Sequence, residues 1–300
     1  MKRIVLLFLL FSVTLGVYAQ ENLMFIVASD MGRRGVSQQQ NVANIMGHFA
    51  EQNRIAFLAV AGDPIHDRGV KSVDDGEWNV KIENVYTAPA LHNIPWYVVS
   101  GNHEYNGNVQ AIIDYSQKSE RWNAPARYFS VTKKINNSED ECLFLFIDTA
   151  PFINRYRSRG DVAEQDIDEQ KRWIENQLAS SSAKWKIVIG HHPVYANTTK
   201  SISERTDMQT HVGVTLEKFG ADVFICGHIH NFQHLKPAGK NMHYIVNSSA
   251  AEWRRVSETE GTIFTAAAAG FTVCSISENE FTFFFISHED KEIYRYTIRK

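Results

Sequence analysis

Cysteine is scarce: Cys142, Cys226 and Cys274 are the only three in 300 residues, and each sits in or beside an apolar, strand-like segment. So sparse and odd a set excludes a disulfide-built scaffold, and the three read as buried thiols, with room for at most one pair. Basic blocks and basic-aromatic stripes are also missing, and the formal net charge is -3, so no nucleic-acid partner is expected. No purely apolar run reaches the ~20 residues of a membrane-spanning helix. The nearest approach is the N-terminal MKRIVLLFLLFSVTLGVYA, with Lys2 and Arg3, an apolar stretch from Ile4 to Leu10, and Val17-Tyr18-Ala19 before Gln20. It reads as a signal peptide over residues 1–19, which predicts a secreted or periplasmic protein without stable membrane insertion. Residues 20–300 then form one domain, expected to be monomeric, since neither a linker nor a repeat divides them.

What the chain does have is alternation. LMFIVAS (23–29), IAFLAVA (55–61), WYVVS (96–100), CLFLFID (142–148), WKIVIG (185–190) and DVFICG (222–227) read as buried strands. Between them, residues 37–53, 77–91, 107–118, 164–179 and 211–219 carry helical spacing. Together they predict an α/β fold. Five strand-like segments in the last sixty residues suggest a second, more antiparallel sheet packed on the first.

Oxygen and nitrogen donors stand where these strands end. Asp30 follows FIVAS, Asp63 follows LAVAG, Asn102 and His103 follow WYVVSG, His191 follows IVIG, and His228 and His230 follow FICG. Ligands of open α/β sheets bind in the crevice beyond the carboxyl ends of the strands. Each donor alone has an ordinary reading as a cap or turn residue. In combination they make a carboxylate, amide and imidazole set suited to two transition metals rather than to calcium or a thiolate zinc site. Asp63 is the natural bridge, and His228 and His230 must diverge toward different ions.

This ordered set, "SD", "GD", "GNHE", "GHH" and "GHIH", resembles the calcineurin-like metallophosphoesterases. Within them it is most similar to the tartrate-resistant, small purple acid phosphatases. The resemblance extends over residues 24–298 and includes "IPWYVVSGNHEYNGNVQAIIDYSQKSERWNAPARYF", "GHHPVY" and "GADVFICGHIHNFQHL". It implies a β-sandwich of two mixed sheets flanked by helices, and a phosphatase that cleaves small phosphate monoesters by attack of metal-bound hydroxide. It further implies that Asp30 and His230 bind the first metal, that Asp63 bridges, that Asn102, His191 and His228 bind the second, and that His103 protonates the leaving oxygen. A phosphodiesterase or nucleotide pyrophosphatase on the same metal core is the rival enzyme reading. A fold-retaining binding protein without catalysis is the rival of another class.

Three departures qualify that transfer. Purple acid phosphatases carry a metal-binding tyrosine three residues after the bridging aspartate, and here that position is His66. The wider superfamily supplies an imidazole two residues after the first aspartate, and here that position is Gly32. His66 is expected to fill the vacancy, the alternative being a loop histidine with water as ligand. Exchanging phenolate for neutral imidazole disfavours ferric iron and suits a divalent pair of iron, zinc or manganese type, so the protein should be colourless. The stretch "TAPFINRYRSRGDVAEQDIDEQ" lacks the family's regulatory-loop cysteine, and its Arg155, Arg157 and Arg159 read as a solvated loop. Finally, His192 replaces an aromatic residue beside a ligand and is expected to touch substrate.

Overall fold

The computed structural model describes residues 22–135, 138–200 and 202–300; the signal peptide inferred for residues 1–19 lies outside the described residues. Fourteen strands are described: β1 (Leu23–Ala28), β2 (Ile55–Ala61), β3 (Trp96–Val99), β4 (Trp122–Asn123), β5 (Phe129–Lys134), β6 (Glu141–Phe146), β7 (Trp185–Ile189), β8 (Val223–Cys226), β9 (Phe232–Leu235), β10 (His243–Val246), β11 (Thr262–Ala266), β12 (Gly270–Ile276), β13 (Glu280–Ser287) and β14 (Glu292–Arg299). They form two seven-stranded sheets, in the orders β14-β13-β12-β1-β2-β3-β4 and β11-β9-β10-β8-β7-β6-β5. Both are mixed: β1-β2-β3-β4 and β6-β7-β8-β10 pair in parallel, whereas β12 joins β1, and β9 joins β10, antiparallel.

The six apolar runs are strands because both faces of the sheets are covered. Phe25, Phe57, Phe144, Phe146, Ile187, Ile225, Cys274 and Phe283 form the layer between the sheets. Phe25 stacks on Phe57 with centroids 4.8 Å apart, and Phe144 packs edge-on against both. Outside the first sheet lies the helix Gln39–Gln52, which turns Val42, Ala43, Met46 and Ala50 inward. Outside the second lies the helix Ile167–Ser180, whose first turn is capped by Asp166 accepting from the N–H groups of Asp168 and Glu169. The three cysteines are free and buried, as the composition implies.

Two expectations need correction. The C-terminal strands do not make a sheet of their own: β12, β13 and β14 extend the first sheet beyond β1, while β10 and β11 complete the second. Alternating β-rich sequence specifies strands but not their partners. Helical spacing over 77–91 and 107–118 yields only short turns, the π-helical Asn79–Glu83, the helices Pro89–His92 and Gln110–Asp114 and the 3-10 turn Tyr115–Gln117, because Trp78, Ile82, Tyr86 and Trp122 are drawn into one apolar cluster. No described helix is long and apolar enough to cross a membrane.

Candidate metal centre

Each donor sits on the turn where a strand ends. Asp30, Asp63, His228 and His230 all have positive φ, at 51°, 49°, 73° and 57°. That conformation is uncommon for non-glycine residues, persists where the surroundings over-determine it, and aims the side chains back across the sheet edges. Crowding accompanies the strain. A Cβ at Gly62 would collide with the His191 ring, and one at Gly101 with the carboxylate and backbone of Asp63.

The predicted residues converge. Asp30 Oδ1 is 3.1 Å from His230 Nε2 and 3.6 Å from His66 Nε2. Asp63 Oδ2 is 3.0 Å from His191 Nε2 and 3.8 Å from His66 Nε2. His228 Nδ1 lies 3.2 Å from His191 Nε2. Asp30–His66–His230, Asp63–His66–His103, Asp30–Asp63–His191 and His191–His192–His228 are groups whose nearest donor atoms lie within 4.8 Å of one another. His228 and His230 do diverge, one toward His191 and the other toward Asp30. Asn102 joins through its position. Its neighbour Gly101 abuts Asp63, its other neighbour His103 donates its N–H to Asp63 Oδ1, and its own Oδ1 is buried without a partner.

The same holds for both ring nitrogens of His66 and Nδ1 of His230, which are buried without a hydrogen-bond partner. Orphaned donors and acceptors at such depth cost free energy, and a cation among them would engage the lone pairs. This donor chemistry fits metal ions. The tautomers agree with it. Nδ1 of His191 can only donate to the Ala61 carbonyl, at 3.0 Å, so in the neutral ring Nε2 presents a lone pair. His228 Nε2 donates to Glu204 Oε2 at 2.9 Å, freeing Nδ1. His103 Nδ1 donates to the Asp67 carbonyl at 2.9 Å, leaving Nε2 3.8 Å from Asp63 Oδ2.

Protonation follows the same field. Burial by itself would raise Asp30 and Asp63, but His230 and His66 beside Asp30, and His191 beside Asp63, hold both well below the usual carboxylate range. Burial pushes His66 down. Against a similar burial, Asp63 raises His191 to about 9, which marks a locus where positive charge is strongly favoured. Glu104, buried beneath the site and repelled by Asp63, is pushed up to about 8 while accepting from the N–H groups of Gly101 and Ile65.

Some assignments differ from the sequence reading. His192 is fully buried: Thr149 Oγ1 accepts from its backbone N–H and lies 2.8 Å from its Nδ1, its ring packs against His228, and its Nε2 is buried without a partner. The arginines at 155–159 are not simply solvated. Arg155 donates to Glu204 Oε1 at 2.8 Å, and Arg159 donates to the Asn102 carbonyl at 2.9 Å. Glu204 and Lys200, whose Nζ is 3.2 Å from both ring nitrogens of His228, escaped the sequence reading. Neither follows a strand, and no local signal marks them.

The Calcineurin-like phosphoesterase family model matches residues 23–232. Purple acid phosphatase 4 of Arabidopsis thaliana is 30% identical over 93% of this chain and 84% of the relative. Tartrate-resistant acid phosphatase type 5 of Oryctolagus cuniculus is 30% identical over 73% of this chain and 70% of the relative. Among solved structures, Plasmodium GAP50, described as the anchor in the inner membrane complex, superposes with a TM-score of 0.81 at 21% identity, covering 93% of this chain and 89% of that one. Purple acid phosphatase PPD1 from yellow lupin gives 0.67 at 15% identity, covering 94% and 54%. Both structural likenesses speak for the fold alone. Family members use a binuclear metal centre, and the His/Asp groups of this chain can bind metals. With its fold, its donor groups and its curated relatives in agreement, the chain belongs to the calcineurin-like phosphoesterases, as a metal-dependent enzyme of purple acid phosphatase type.

Proposed function

We propose that this protein hydrolyses small phosphate monoesters at two divalent metal ions, one held by Asp30, His66 and His230 and the other by Asn102, His191 and His228, with Asp63 shared. The observation that carries the reading is the single Asp63 oxygen, Oδ2, which lies 3.8 Å from His66 Nε2 and 3.0 Å from His191 Nε2. When bound, such a pair polarises the phosphoryl group and lowers the pKa of a water toward ~7. The protein's own residues do the rest. Asp30, Asp63, Asn102 and the imidazoles would hold the pair, and His103, with its Nδ1 anchored on the Asp67 carbonyl and its side chain 28% exposed, would pass a proton from Nε2 to the departing oxygen.

His66 is the feature particular to this chain. Its backbone N–H donates to the Gly32 carbonyl at 3.2 Å, and a Cβ at position 32 would collide with the backbone at Pro64 and Ile65. An imidazole donated from position 32 and a ligand loop seated at 64–66 are thus sterically alternative, which supports His66 as the replacement. Export as a monomer after loss of residues 1–19 belongs to the same proposal and rests on the N-terminal sequence. The deciding experiment is Asp63→Asn in the mature protein. Metal analysis should show loss of bound metal, and p-nitrophenyl phosphate hydrolysis should fall on the order of 100-fold or more. Full metal content with unchanged turnover would sink the proposal.

A further inference from the structure

The Lys200 ammonium lies against His228, a proposed metal ligand. Nζ is 3.2 Å from Nδ1 and 3.2 Å from Nε2 of His228. With Nε2 carrying the proton it gives to Glu204, the one in-plane lone pair is on Nδ1, so an ammonium equidistant from both nitrogens is not bonded well to either. The nitrogens are otherwise committed, Nε2 to Glu204 and Nδ1 toward His191. Among the described residues no carboxylate lies within ion-pair distance of Lys200; Asp30, Asp63 and Glu204 attract it from farther away while Arg254 repels it. A half-buried cation so placed is stabilised by a partner the chain does not supply.

Where this ammonium sits suggests the partner. Lys200 lies over His228, whereas His103 packs beside His66, with ring centroids 4.7 Å apart, so the two flank different members of the metal-binding cluster. Once divalent ions engage the Asp30 and Asp63 carboxylates, those carboxylates no longer offset Lys200, and the site is left with surplus positive charge. A phosphate monoester brings two negative charges to it and a diester brings one.

We propose that Lys200 binds the phosphoryl oxygens of the substrate and makes the site selective for monoester dianions over diester monoanions. This deepens the proposed function and rests on it. The test uses mature, zinc-loaded protein in wild-type, Lys200→Ala and Lys200→Arg forms, reading three quantities. These are the inhibition constant of inorganic phosphate, the kcat/KM ratio of p-nitrophenyl phosphate to bis-p-nitrophenyl phosphate, and metal content. Lys200→Ala should retain its metal, weaken phosphate inhibition on the order of 10–100-fold and lower the monoester-to-diester ratio about 10-fold, with Lys200→Arg restoring most of both. An unchanged ratio and inhibition constant, or an equal fall on both esters with loss of metal, overturns the inference. Wild-type protein that neither binds zinc nor cleaves either ester overturns the parent proposal instead.

Discussion

His66 and Gly32 are the pair on which the proposed exchange of a metal ligand turns. Neither is informative alone: a glycine in "SDMGRRG" is a turn residue, and a histidine in "GDPIHDRGV" is a loop residue. In the fold the His66 N–H bonds the Gly32 carbonyl, and the imidazole sits fully buried between Asp30 and Asp63. His66→Ala is expected to lose one of two bound metals and on the order of 100-fold or more in kcat/KM, read by elemental analysis beside steady-state assays. The wild type should show no visible tyrosinate-to-iron band, while His66→Tyr reconstituted with ferric iron should acquire one. A coloured wild-type protein would refute imidazole ligation at this position. Asp30, Asp63, Asn102, His103, His191, His228 and His230 were legible in the sequence because each follows an apolar strand and a turn, whereas His66 stood out only against the tyrosine of the family the chain resembles. Lys200 and Glu204 were not legible, because their relation to His228 spans 28 and 24 positions of sequence.

At the scale of elements, the segment from 190 to 208 is the functional unit that sequence periodicity conceals. It follows β7, passes through Lys200 and enters the helix Ile202–Met208, whose first turn carries Glu204. Glu204 is buried and accepts from three donors: Arg155 at 2.8 Å, the Tyr156 hydroxyl at 3.0 Å and His228 Nε2 at 2.9 Å. The loop at 150–159 is thereby tied to a proposed metal ligand, orienting its ring as outer-shell carboxylates do. Glu204→Gln removes the charge and retains the shape. Metal affinity at the Asn102–His191–His228 locus should fall about 10–100-fold in competition with a chelating indicator, while affinity at the Asp30–His66–His230 locus stays within a few fold. Equal weakening of both loci would mean that Glu204 supports the fold rather than that ligand.

Across the whole molecule, acid sensitivity has a source remote from the centre. In the second sheet, Lys236 Nζ donates to His243 Nε2 at 3.1 Å, His243 Nδ1 meets His234 Nε2 at 2.8 Å, and His234 Nδ1 meets the Tyr294 hydroxyl at 2.8 Å. The lysine determines every tautomer along this chain, so both histidines are neutral. Burial, then the neighbouring positive groups, pushes His234 down to about 3 and His243 to about 4. The unfolded chain therefore binds more protons below about pH 6.5, and stability contributed by the pair falls as pH drops from there toward 4 and 3. His243→Gln cannot take up a proton. Between pH 6.5 and 4 its urea-measured stability should decline by roughly 1–2 kcal/mol less than that of the wild type. Parallel profiles for the two proteins would exclude the pair as a source of acid sensitivity.

The amino-acid sequence by itself determined the strands that end in donors, the donor types and their order, and the free buried thiols. Each of these is a local property: a period, a turn residue or a composition. The tertiary structure alone decided which strands share a sheet, with β12 crossing to pair with β1 and β13 and β14 following beyond it. It also decided that His192 faces the interior, that the arginine loop is tethered, and that Lys200 and Glu204 converge on His228. These depend on pairing and packing between segments distant in the chain, where loop closure and burial rather than local preference set the outcome.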